Sequence, residues 1–75
     1  MNPLNIAIVG YGEVGGIFAR GLRGQAGVAS LSAWDLLFAQ PGHARLQAAE
    51  QDGVRVAADA RELCANADLV ISAVT

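Results

Sequence analysis

Ile6-Ala7-Ile8-Val9-Gly10-Tyr11-Gly12-Glu13-Val14-Gly15 is an apolar run that stops at a glycine cluster and passes at once into a helical pattern. Gly10, Gly12 and Gly15 stand at the G-x-G-x-x-G spacing, and each glycine has its own physical reason. Gly10 lets the backbone turn sharply out of a strand. Gly12 has no side chain, so a pyrophosphate can approach the main chain, and Gly15 lets the new helix pack tightly against the strand it came from. The N–H groups left unbonded at the start of that helix, and the positive end of its dipole, then face the phosphates. The cofactor contacts expected at this turn are Gly10, Tyr11, Gly12, Glu13, Val14 and Gly15.

Three features around the motif raise it above a bare turn in a chain with nine glycines: a strand before it, a helix after it, and an acidic residue roughly 20 positions on. Leu4–Val9 is rich in branched apolar residues, as a strand buried on both faces should be. Val14, Ile17, Phe18, Gly21 and Leu22 recur at i, i+3, i+4, i+7 and i+8, which predicts a helix whose buried face is that stripe. Asp35 closes the next apolar segment, 20 residues after Gly15. An acid there accepts hydrogen bonds from the adenosine ribose hydroxyls, and its charge repels the 2′-phosphate of NADP. Asp35 and Leu36 therefore join the expected contacts, and the expected cofactor is NAD, with NADP the less favoured form; were NADP preferred, Arg45 would be the first candidate to hold its phosphate.

Seventy-five residues with 53% apolar content fall short of the roughly 100 to 200 typical of one domain. The chain is therefore expected to be the N-terminal part of a dinucleotide-binding domain, with the catalytic and substrate domain lying outside it. Cys64, the single cysteine, has no partner for a disulfide and falls in a helical pattern, so it reads as a small buried apolar residue. Met1-Asn2-Pro3 carries no basic region, and no apolar run approaches the roughly 18 residues of a membrane span; a soluble cytoplasmic protein with no membrane partner is expected. The five basic residues, all arginine and scattered singly in a chain of net charge −2, form no basic patch, which excludes nucleic acid as an expected partner.

The rest of the chain alternates strand and helix. Gly24 is placed to end the first helix in the left-handed cap conformation, and Val28–Trp34 reads as the second strand. Residues 36–42 form a connection, followed by a helix over about residues 43–52 with His43 facing solvent in its first turn. Gly53 caps that helix, and residues 54–56 make a short third strand. Asp59 and Glu62 form an N-cap pair that starts a third helix reaching about Ala65, and residues 69–74 make a fourth strand. This alternation predicts an α/β, Rossmann-type parallel sheet of four strands in the order 3-2-1-4 with three right-handed crossover helices. The winding reverses between strands one and four, so the ligand crevice opens between their carboxyl ends. That placement adds Val74 and Thr75 to the expected cofactor contacts.

With these residues in hand, the chain resembles the N-terminal coenzyme domain of the β-hydroxyacid dehydrogenases, the group that includes 6-phosphogluconate and 3-hydroxyisobutyrate dehydrogenases. The resemblance rests on the glycine-turn stretch, on Trp34-Asp35, on Gly53-Val54-Arg55-Val56-Ala57 and on Ala67-Asp68-Leu69-Val70-Ile71, and it covers nearly the whole chain. It implies hydride transfer between a nicotinamide cofactor and a small 3-hydroxy acid or related CH–OH substrate. Where many members carry Asn-Arg-Thr at the end of the second strand, with arginine on the 2′-phosphate, this chain reads Asp35-Leu36-Leu37, which again favours NAD. Glu13 is a second departure, since it suits the helix dipole but repels a pyrophosphate unless it points away. The family's catalytic lysine and its serine-glycine substrate segment have no counterpart here, so no catalytic residue is carried over.

Two readings from other classes compete with a dehydrogenase. One is a nucleotide-sensing regulatory module of the potassium-transport-regulator type, in which the same fold and a similarly placed aspartate bind nucleotide without chemistry. The other, methyl transfer from S-adenosylmethionine, wants an acidic residue just before the first glycine of the turn, where this chain has Val9. A further expectation concerns association. Leu69, Val70, Ile71 and Val74 lie on a last strand that one short helix cannot cover, which predicts self-association of the isolated chain.

Overall fold

The computed structural model describes residues 2–74. The glycine turn follows the strand β1 (Leu4–Val9) and opens the helix α1 (Glu13–Leu22); then come β2 (Val28–Trp34), a short 3-10 helix (Leu36–Ala39), α2 (Ala44–Gln51), β3 (Arg55–Val56), α3 (Ala60–Ala65) and β4 (Leu69–Ser72). All strand pairings are parallel, and the sheet order is β3-β2-β1-β4, as the alternation of the sequence predicts. Ile8 pairs with Ala33 on one side and Ile71 on the other, so β1 is the central strand, and Ile6, Ala7 and Ile8 are buried.

The two faces of the sheet carry separate cores. Ile8 and Ala33 pack with Tyr11, Ala19, Phe38, Ala49 and Val54 beneath α1 and α2, whereas Ala7 packs with Ala57 and Leu63 of α3 on the other face. Right-handed crossovers require this division, because the chain moves one way along the sheet through α1 and α2 and returns past β1 through α3.

Local signals set the ends of the helices. Gly24 and Gly53 both have positive φ, +82° and +74°, the conformation glycine adopts without steric cost. After α2 the Gly53 amide donates to the Glu50 carbonyl and the Val54 amide to the Ala49 carbonyl, the paired bonds of a Schellman cap. Asp59 accepts from the Glu62 amide at 2.7 Å, and Glu62 reaches back to the Ala58 amide at 2.9 Å. The reciprocal cap expected there forms one residue further back than the N-cap itself.

Five local expectations are corrected. The stripe of Val14, Ile17 and Phe18 is exposed, with Ile17 57% accessible; the face of α1 turned to the sheet is Gly15, Gly16 and Ala19. The glycine turn brings α1 so close to β1 that a Cβ at Gly15 would overlap the Gly10 carbonyl oxygen, and the larger apolar stripe lies on the far side of the helix from that face. His43 does not face solvent inside the helix: it is the N-cap of α2, and its Nδ1 accepts from the Arg45 amide. Cys64 is exposed, because Leu63 is the position α3 turns to the sheet. The connection after Asp35 holds the 3-10 helix, and it seats Phe38 in the core against the Tyr11 ring at a centroid distance of 6.3 Å. The fourth strand ends at Ser72 and not at residue 74; Leu69 and Val70 on β4, and Val74 beyond its end, are exposed.

Candidate functional site: the crevice at the glycine turn

The winding of the sheet reverses between β1 and β4, and a cavity of about 530 Å³ opens at their carboxyl ends. Its floor is the turn itself. The ladder continues to the rim on both sides of β1, with the Gly10 amide donating to the Trp34 carbonyl and the Ala73 amide to the Val9 carbonyl. At Gly10 φ is +91°, which turns the chain out of the strand. The first bond of α1 runs from the Gly16 amide to the Gly12 carbonyl, and Gly12, the N-cap, offers no side-chain acceptor. Among the described residues, the amides of Glu13, Val14 and Gly15 thus precede the first intrahelical bond with no side-chain cap, the arrangement that receives anions at a helix start.

The glycines differ in what surrounds them. A Cβ at Gly15 would overlap the Gly10 carbonyl oxygen, so this residue is a glycine because helix and strand touch there. A Cβ at Gly12 would meet only the end of the Arg45 side chain, its nearest atom 3.2 Å away. Since Arg45 is flexible at that end, the space in front of Gly12 suits a phosphate approaching the main chain. This open cradle is the fit that the turn offers a dinucleotide.

Asp35 organises the other wall. It is the N-cap of the 3-10 helix, 4% exposed, and its carboxylate holds three donors. Oδ2 accepts from the Tyr11 amide at 2.7 Å and from Nη1 of Arg45 at 2.9 Å, and Oδ1 accepts from the Leu37 amide at 2.8 Å. Burial alone would raise the pKa of this carboxyl, but the Leu37 and Tyr11 amides and the Arg45 guanidinium outweigh it and hold the group below its ordinary value. Asp35 is therefore an anion at neutral pH, and it ties the glycine turn to the end of β2.

Of the contacts expected from the sequence, Gly10, Gly12, Glu13, Val14, Asp35, Leu36 and Val74 line this one cavity. Gly15 lies behind the wall, buried against β1. Tyr11 is 1% exposed, and its ring turns into the core, where the hydroxyl donates to Asp52 at 2.7 Å; what it brings to the turn is its amide on Asp35. Thr75 lies outside the described residues. Glu13 is exposed at the rim. Val9, Trp34, Leu37, Ala73 and Arg45 also line the cavity. The first four flank expected contacts in sequence, whereas Arg45, ten residues beyond Asp35, is brought in by the first turn of α2 and carries no motif.

Among the described residues, no group of histidine, cysteine and carboxylate side chains is arranged to hold a metal ion, and no helix is long and apolar enough to cross a membrane.

Residues 5–75 match the family model described as NADP oxidoreductase coenzyme F420-dependent. No curated protein and no solved structure gives a significant match. The family match carries the coarser part of the resemblance read from the sequence, an NAD(P)-binding domain of an oxidoreductase, and does not single out the β-hydroxyacid dehydrogenases. With a parallel sheet ordered 3-2-1-4 and a match that extends over nearly its whole length, the chain belongs to the NADP oxidoreductase, coenzyme F420-dependent family.

Proposed function

We propose that this chain is the cofactor-binding portion of an oxidoreductase that transfers hydride to or from a nicotinamide dinucleotide. The cofactor lies in the crevice between β1 and β4, its pyrophosphate over the amides of Gly12, Glu13, Val14 and Gly15 and its adenosine ribose toward Asp35. Gly10, Leu36, Val74 and Thr75 flank it, and Tyr11 contributes through its backbone. The observation that carries this reading is the pairing of an open cradle at Gly12 with a buried, ionised Asp35 on the facing wall of one cavity. Asp35 gives NAD the advantage, since a carboxylate repels a 2′-phosphate. The substrate class supported by the sequence resemblance is a small 3-hydroxy acid or related alcohol; the catalytic lysine and serine-glycine segment of that family have no counterpart among these residues, so the chain alone should show no turnover.

The family description supports a second substrate reading, in which the hydride partner is coenzyme F420 and the dinucleotide is NADP. A nucleotide sensor without chemistry is less well supported, because the family matched is one of oxidoreductases.

Calorimetric titration with NADH and NADPH tests the binding site. The protein should bind NADH, and Gly12→Val, whose Cβ meets only the end of Arg45 in the fold, should abolish binding while leaving the melting temperature nearly unchanged. Equal NADH affinity in Gly12→Val would contradict this placement.

A further inference from the structure

The Asp35 carboxylate has about four lone-pair sites, and three are already filled by Tyr11, Leu37 and Arg45. A ribose diol brings two hydroxyl donors to a group with about one free acceptor site. Two of the three existing donors are backbone amides fixed by the glycine turn and by the 3-10 helix. Arg45 is the only one able to leave. Its backbone is pinned, the amide donating to His43 Nδ1 at 3.1 Å, but its side chain is 43% exposed and reaches in front of Gly12 as well as to Asp35. A cation in the first turn of a helix gains nothing from the helix dipole. Asp35 is its partner in the absence of cofactor.

Resting on the reading of this crevice as a dinucleotide site, we propose that Arg45 is a displaceable specificity residue. It pairs with Asp35 until the adenosine ribose takes that acceptor site, and the guanidinium then turns to the phosphate carried on the ribose 2′ position when the cofactor is NADP. The same site accepts both dinucleotides. Asp35 favours NAD, Arg45 offsets the repulsion of the 2′-phosphate, and the preference between the two is narrow. Glu13 at the rim adds a second negative charge, and Arg45 is the one basic residue among those lining the cavity. A guanidinium suits this role because its planar fork pairs with either a carboxylate or a phosphate.

The test is titration of the protein and of Arg45→Met and Arg45→Lys with NADH and NADPH, with a circular dichroism melt of each variant. Arg45→Met should widen the ratio of NADPH to NADH dissociation constants by about tenfold or more, the weight of one charge-assisted hydrogen bond. Arg45→Lys, which keeps the charge without the fork, should fall between. In the unsubstituted protein, raising the salt concentration should weaken NADPH more than NADH, which reads the same contact without a substitution. A ratio unchanged in Arg45→Met while NADH still binds would overturn the role of Arg45. A protein that binds neither dinucleotide would instead remove the site on which this inference rests.

Discussion

Gly12 and Gly15 stand three residues apart in one motif, yet the structure holds them for opposite reasons. At Gly15 a Cβ would run into the backbone of Gly10, and at Gly12 it would meet only the end of the Arg45 side chain. The fold therefore accounts for Gly15 and leaves Gly12 unexplained. Gly12 has φ −82° and ψ −155°, an extended conformation, and its negative φ does not of itself call for a glycine. What a glycine provides at that point is clear space before the amides of a helix start, and the use of that space lies in a ligand rather than in the fold.

The contrast can be broken by substitution, beginning with the largest effect. Gly15→Ala places a Cβ against a backbone carbonyl that has no rotamer by which to yield, so it should destabilise the protein by about 1–3 kcal/mol, the usual weight of overpacking, as read by denaturant unfolding. A neutral result would mean that α1 is not seated on β1 as described.

Tyr11→Phe sharpens the comparison from beneath the turn. It removes the bond from the buried hydroxyl to Asp52 and should cost about 1.5 kcal/mol, the lower range for a hydrogen bond to a charged acceptor. Burial and then the neighbouring Asp52 raise the Tyr11 pKa above its ordinary value of 10.0. Because the folded value is the higher one, the contribution is complete below pH 10.0 and is lost as the pH rises above it. Thermal melts at pH values on either side should show the loss in the parent protein, and Tyr11→Phe should lack that share of it.

Ile17→Ser tests the corrected face of α1. Ile17 would be a core residue if the large apolar stripe faced the sheet, and its loss would then cost several kcal/mol. On the exposed face the change should stay within about half a kcal/mol. Gly12→Ala should leave stability within a similar margin, yet weaken dinucleotide binding by about tenfold or more if even one phosphate hydrogen bond is lost.

These tests also mark what the sequence could and could not disclose. Strand order, the two cap glycines and the Asp59–Glu62 cap were legible because each is decided within a few residues or by the handedness of a crossover. The facing of α1 was not. Periodicity finds a stripe of large apolar residues, but helix and strand brought together by a glycine turn select small ones, and that distance is a tertiary quantity. Phe38 escaped for a related reason: the 3-10 helix is held by Asp35 and by packing against Tyr11, not by a pattern of its own. In the crevice, the motif residues and Asp35 could be read from spacing and Arg45 could be named as a candidate for an NADP phosphate, whereas its pairing with Asp35 is made only once α2 has docked. Val74 was placed by topology alone, from the reversal of winding between β1 and β4.

The most direct test of the central claim is a residue-by-residue map of amide shifts on titration with NADH, using nitrogen-labelled protein and proton–nitrogen correlation spectra. The account predicts the largest changes at Gly12, Glu13, Val14 and Gly15, a second group at Leu36 and Leu37 beside Asp35, and little change around Leu63 on the opposite face. Changes centred on the α3 face, or spread without focus while the glycine turn stays still, would contradict it.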